Sequence, residues 1–159
     1  MFGKPLSYYI GLQKPALIAI TVVFLFRLIM PSGGIPMSAG KVLSLTAVLI
    51  LALPYYALLA KREGLGFKHL FAMCLIQGLF SQTLVALAVV LGIVTGADNI
   101  YTIPEFYPQS TGGTPFPVDG KNWMHAIAHV VFAGAFALPL ATWAVSSVLL
   151  VIARKVKSW

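Results

Sequence analysis

Residues 70–96 read LFAMCLIQGLFSQTLVALAVVLGIVTG, a predominantly apolar stretch of 27 residues without a charged side chain. A run of about 18 or more apolar residues is a candidate transmembrane helix, because about 20 residues cross the hydrocarbon core of a bilayer. Three further apolar segments of comparable character lie at 14–31, 42–60 and 123–153. With the third span taken as 69–96, the sequence predicts an all-α integral membrane protein, a bundle of four transmembrane helices.

The composition supports this class and excludes several others. The chain has 159 residues, 59% hydrophobic and only 9% charged, with a mean hydropathy of +0.91, whereas soluble domains carry about 25% charged residues. We therefore expect residues 1–159 to form one membrane domain in contact with membrane lipid. A single cysteine excludes an internal disulfide and a dithiol relay. The net charge of +7 does not indicate nucleic-acid binding, because the cations flank apolar segments and form no patch with interleaved aromatic residues.

The positive charges are distributed unevenly and predict the orientation. With four spans, both termini and the loop between the second and third spans lie on the same side of the membrane. That side carries eight Lys and Arg residues, and the other side carries two. The positive-inside rule places the richer side in the cytoplasm, and we expect a bacterial inner membrane. The eight are Lys4, Lys14, Lys61, Arg62, Lys68, Arg154, Lys155 and Lys157.

The segment 97–121 is predicted to be a long, ordered extracytoplasmic loop between helices 3 and 4. Its 25 residues exceed the usual ceiling of about 12–15 for loops without secondary structure, which is typical of a functional or disordered segment. Alternating aromatic and proline residues favour order, so we expect a cap over the outer ends of the helices. They are Tyr101, Phe106, Tyr107 and Phe116, with Pro104, Pro108, Pro115 and Pro117.

Two histidines directly after this loop are candidate metal ligands. His125 and His129 are one helical turn apart on a single face, and two imidazoles with a nearby carboxylate can bind zinc or a similar divalent metal ion. Alternatively, each histidine lies separately at the wet interface, or the pair binds a pigment or haem. The complete candidate polar site comprises His125, His129, Asp98, Glu105, Asp119 and Arg27, which the predicted topology places on one side of the membrane.

Polar and small residues within the spans are predicted to pack helices. Gln77, Ser81 and Gln82 lie in the third span, where uncharged polar groups commonly bridge helices. No Asp, Glu or Lys lies in the middle of a span, which argues against a proton pump or a cation-coupled transporter. Small residues allow helices to approach closely, and they form a GxxxG motif and a stripe along the fourth span. These residues are Gly92, Gly96, Ala133, Ala137 and Ala141.

No complete catalytic motif is present, since the chain has no HExxH, G-x-S-x-G, Walker loop or dinucleotide fingerprint. The leading hypothesis is therefore non-enzymatic: a small structural or assembly subunit that forms a homo-oligomer or part of a larger membrane complex. The alternative is a membrane enzyme or binding protein with an outward-facing histidine and carboxylate site under the 97–121 loop. A third hypothesis is a lipid or quinone binder in a crevice at helix kinks caused by Pro54 and Pro139.

Overall fold

The computed structural model of the chain describes residues 1–30, 44–102 and 120–156, and these residues form helices and no strand. Four helices are long and apolar enough to cross a membrane, which suggests a membrane protein. They are α1 (Leu6–Ile29), α2 (Leu45–Arg62), α3 (Phe67–Thr95) and α4 (Trp123–Lys155). The prediction of four apolar helices is confirmed.

The first helix starts earlier than its apolar segment indicates. It begins at Leu6 rather than near Lys14, so Pro15 lies inside the helix and not at its first position. An interior proline removes one backbone hydrogen bond and tends to kink the helix. A contact from α2 supports the turn before it, where the Tyr55 hydroxyl donates to the Leu12 carbonyl at 2.8 Å.

Helix α3 is the centre of the bundle and packs against the other three helices. Its interior contacts fall into two apolar clusters. One surrounds Tyr56 and Met73, near the end at which α1 begins and α4 ends, which we call the terminal end. The other surrounds Ile20 and Val89, near the opposite or loop end. Large apolar side chains also cover the outside of the bundle, as Leu51 illustrates at 74% exposed, which is expected of a surface that faces lipid.

Side chains close the terminal end by bonding to helix ends. Arg154 donates to the Leu65 carbonyl at 2.8 Å, which satisfies part of the turn between α2 and α3. At the start of α3, Nδ1 of His69 lies 2.7 Å from the Tyr9 hydroxyl. These bonds connect α1, α3 and α4 at this end, and His69 has a structural partner far from the other two histidines.

At the loop end, the chain after α3 folds back along the helix. The Asn99 side chain donates through Nδ2 to the Ala88 carbonyl at 2.8 Å and accepts from the Tyr101 amide at 3.0 Å. Gly92 provides the space, because a Cβ there would lie 2.9 Å from Cγ2 of Thr102. The glycine of the predicted GxxxG motif therefore packs against this turn within the same chain.

We expect Asn99→Ala to unfold this turn locally. The substitution removes both side-chain hydrogen bonds of a residue that is 7% exposed, and leaving buried partners unsatisfied costs about 1–3 kcal/mol each. The free energy of unfolding in detergent should fall by about 2 kcal/mol, and hydrogen exchange of the Tyr101 amide should accelerate. Asp98→Asn is the control, because it changes the neighbouring side chain, whose exposed ion pair with Lys121 contributes no more than about 1 kcal/mol. Equal stability of the two variants would contradict the described turn.

Candidate functional site

Helices α3 and α4 come into backbone contact at Gly78 and Gly134. A Cβ on Gly78 would lie 2.9 Å from the Gly134 carbonyl oxygen and 2.8 Å from Cγ of Pro139, and a Cβ on Gly134 would lie 3.0 Å from Cβ of Gln82. One Cα hydrogen of Gly78 occupies the position that a Cβ would take, and it therefore faces the Gly134 carbonyl oxygen. Such Cα–H···O contacts are found between closely packed helices. This contact sets the spacing of α3 and α4 in the turns that carry Gln82 and His129.

The segment His129–Ala137 of α4 is π-helical and ends just before Pro139. In an α-helix the proline ring would collide with the carbonyl four residues earlier, and the wider i→i+5 turn of a π-helix relieves that collision. Residues five apart would differ by about 140° in an α-helix, which turns about 100° per residue, but in a π-helix they are joined by the i→i+5 backbone hydrogen bond and lie closer to one face. The π-helical segment therefore directs both Gly134 and His129 towards α3.

Gln82, His129 and His125 form a continuous hydrogen-bonded line. Nδ1 of His129 lies 2.6 Å from Oε1 of Gln82, and its Nε2 lies 3.0 Å from Nε2 of His125. Nδ1 of His125 in turn lies 2.9 Å from the Gly120 carbonyl oxygen. The Asn122 side chain begins α4 by accepting from the His125 amide at 2.8 Å, a standard N-cap. The line thus runs from the buried face of α3 to the start of α4.

The donors and acceptors along this line determine where the imidazole protons lie. A carbonyl oxygen only accepts hydrogen bonds, so the Gly120 carbonyl requires a proton on Nδ1 of His125. Oε1 of Gln82, as an acceptor, likewise requires a proton on Nδ1 of His129. Neutral imidazole has one N–H, so the two Nε2 atoms would then face each other with lone pairs only 3.0 Å apart. With this orientation of the Gln82 amide, a cation is needed between the two Nε2 atoms, either one shared proton or a metal ion.

The predicted carboxylates do not all meet this histidine pair. Asp98 forms an ion pair with Lys121 at 2.9 Å, and Lys121 also donates to the Gly96 carbonyl at 3.1 Å. These contacts join the end of α3 to the segment that precedes α4. Glu105 and Asp119 lie outside the described residues, as does most of the predicted loop. Within the described ranges, no group of three His, Cys, Asp or Glu side chains could hold a metal ion.

Arg27 lies among aromatic side chains near the loop end of α1. Its Cζ is 5.2 Å from the ring centroid of Tyr101, and that ring stacks on Phe24 at 5.6 Å. Burial raises the pKa of Tyr101 to about 12, although the charge of Arg27 opposes the shift. In the part of the chain that the structure describes, no carboxylate forms an ion pair with Arg27.

The three polar residues predicted to pack α3 have different surroundings. Gln82 reaches across to α4 through His129, whereas the Ser81 hydroxyl donates to the Gly78 carbonyl of its own helix at 3.1 Å. Gln77 is 1% exposed, and neither of its amide atoms has a hydrogen-bond partner among the described residues. The link between Gln82 and His129 was not predicted from sequence, and its local signals are Gly78 four residues before Gln82 and the Gly134 and Pro139 pair after His129.

Comparison of the chain with protein-family models, with curated proteins and with solved structures gave no match.

Proposed function

We propose that this protein binds a divalent transition-metal ion through Nε2 of His125 and Nε2 of His129, at the loop end of a membrane-spanning bundle. With the predicted orientation, this end faces the extracytoplasmic side. The observation that supports the proposal is the pairing of both Nδ1 atoms with acceptors, Gly120 and Gln82, which directs the two Nε2 atoms towards each other at 3.0 Å. Metal-ligating histidines commonly donate their other N–H to such oxygen acceptors.

The chemistry of the pair selects a class of ion. Imidazole suits zinc, copper, nickel and iron better than magnesium or calcium. Metal–nitrogen bonds of about 2.0–2.1 Å allow one ion to reach both Nε2 atoms. Two histidine ligands leave coordination positions for water or an oxygen ligand, and catalytic zinc sites fill one of these positions with a third protein ligand. Completion of the set by a carboxylate of the 97–121 loop stays a prediction.

The test is metal analysis of the protein purified without added chelator and then reloaded with Zn²⁺. We expect about one ion per chain in the unmodified protein and less than about a tenth of that in a His125→Ala, His129→Ala double variant. His69→Ala is the matched control and should retain the ion, because His69 bonds to Tyr9 at the terminal end.

Two outcomes would contradict the metal proposal. Equal metal in the double variant would place the ion elsewhere. Absence of metal from the reloaded protein would mean that a proton, not a metal ion, lies between the two Nε2 atoms. The histidine pair would then act as a hydrogen-bonded clasp that holds Gly120 against α4.

The assembly hypothesis is a second candidate, supported by the exposure of α4. Only 17% of the most apolar 18-residue stretch of α4 is buried, whereas the corresponding share is 44% in α2 and in α3. Ala137 and Ala141 of the predicted small-residue stripe lie on its exposed surface. Mass measurement in mild detergent tests this candidate, and a strict monomer without partners would contradict it. The lipid or quinone hypothesis stays a prediction. Pro139, one of the two prolines expected to form its crevice, is buried and lies against Gly78 of α3.

A further inference from the structure

Two buried hydrogen-bond donors near the loop end have no acceptor among the residues that the structure describes. Arg27 is 7% exposed, and no described residue accepts a hydrogen bond from its Nε. Tyr101 is 9% exposed, and its hydroxyl likewise has no partner among the described residues. The guanidinium lies against the Tyr101 ring, so both donors belong to the same small region between α1 and the turn after α3.

This arrangement is electrostatically incomplete. A buried guanidinium needs a counter-charge, because desolvation of an ion is costly unless it is paired. The cation–π contact with Tyr101 offsets only part of that cost. Asp98 is the described carboxylate nearest in sequence to Tyr101, and it already pairs with Lys121. The region therefore presents a positive charge and a hydroxyl donor to an anion from outside the described chain.

We propose that Arg27 and Tyr101 bind the phosphate group of a phospholipid. The planar fork of arginine matches the oxygens of phosphate, and the tyrosine hydroxyl adds a second donor. Arg27 lies two residues before the end of α1 at Ile29, which is about 3 Å along the helix axis. If α1 spans the bilayer, its guanidinium lies at the level of the lipid headgroups. Large apolar side chains on the outward-facing side of the same turns of α1 are exposed to the acyl chains of the surrounding lipid. They are Leu25, Phe26 and Ile29, exposed by 51%, 41% and 61%.

The experiment compares two lipids that differ only in the phosphate-containing headgroup. The full-length protein is purified in non-ionic detergent, delipidated, and mixed with either phosphatidylglycerol or diacylglycerol of the same chain length. A chelator is present, so that the readout does not depend on the histidine pair. We expect phosphatidylglycerol at roughly 100 times its Kd to raise Tm by about 5 °C relative to diacylglycerol.

Variants assign that shift to individual groups. Arg27→Gln should abolish the difference between the two lipids, whereas Arg27→Lys and Tyr101→Phe should reduce it, because each keeps part of the site. If Arg27→Gln does not fold, these two conservative variants provide the test. Lys14→Gln is the matched control, since Lys14 is an exposed cation on the same helix, and it should keep the full shift.

Three results would overturn the proposal. An unchanged shift in the Arg27 and Tyr101 variants would place the lipid elsewhere. An equal shift with inorganic phosphate alone would indicate a site for a free anion. If the unmodified protein showed no shift and Glu105→Gln created one, a loop carboxylate would be the partner of Arg27.

Discussion

Gly78→Ala is expected to lower the free energy of unfolding by about 1–3 kcal/mol, the usual cost of forcing an extra methyl group into a packed interface. The new Cβ would lie 2.8 Å from Cγ of Pro139 and 2.9 Å from the Gly134 carbonyl oxygen. Both contacts are to constrained groups, a proline ring and a backbone oxygen, so neither side can move away cheaply. The helices must separate instead. Chemical unfolding in detergent measures the loss, and the Gln82–His129 bond should weaken with it.

Gly11→Ala is the control for this substitution. Gly11 also lies inside a helix, but a Cβ there would have no atom within 4 Å. Alanine in a helix interior is favoured over glycine by about 0.5–1 kcal/mol, so this variant should be unchanged or slightly more stable. Opposite effects at the two glycines would identify the α3–α4 contact as the cause. Equal effects would contradict the described approach of these helices.

The number of apolar helices could be predicted because it depends on local composition alone. An uncharged run such as 70–96 is long enough to indicate a helix without reference to any other segment. The helix start at Leu6 was harder to predict, because proline is common both at the first position of a helix and within transmembrane helices. The contact that favours the interior position of Pro15 comes from Tyr55, which is 43 residues away from its partner Leu12.

The candidate site could be predicted only in part, for a similar reason. The spacing of His125 and His129 places them on one face in any helical register, and their rings are in contact in the structure. The partner of His129 is Gln82, 47 residues away, and their meeting depends on the π-helical segment and on the contact between Gly78 and Gly134. Neither can be derived from hydrophobic periodicity. The predicted roles of Glu105 and Asp119 stay predictions.

Small-residue motifs illustrate the same difference between local and long-range information. Gly92 and Gly96 indicate that something can approach α3 closely, and a second helix was the expected neighbour. At Gly92 the neighbour is the turn that contains Asn99 and Thr102. A Cβ on Gly96 would meet no atom within 4 Å, and this glycine instead ends α3 in the left-handed conformation. In contrast, Gly78 and Gly134 belong to no recognised motif, yet they contact another helix. A glycine in a span therefore permits a close approach, while the fold decides whether a group approaches it and which group that is.

Gln82 is expected to control metal affinity at the histidine pair without touching the ion. Gln82→Met keeps the length of the side chain but removes the acceptor for Nδ1 of His129, and loss of such a partner typically weakens metal binding about 10–100-fold. Gln82→Glu keeps an acceptor in the same place and should retain or increase the affinity, because a carboxylate is the stronger partner for an imidazole N–H. Titration of the bound metal with a competing chelator measures both changes.

Gln77→Met is the matched control, because Gln77 is a buried glutamine of the same helix whose amide bonds to no described residue. Its metal affinity should be unchanged, and its stability unchanged or higher, since the substitution removes an unsatisfied polar group. The comparison of Glu and Met at position 82 also tests the direction of the hydrogen bond. A carboxylate cannot donate, so an equal loss of affinity in both variants would mean that the Gln82 amide donates to a neutral His129. The two imidazoles could then form a neutral hydrogen-bonded chain without any bridging cation, and the proposed metal site would lose the observation that supports it.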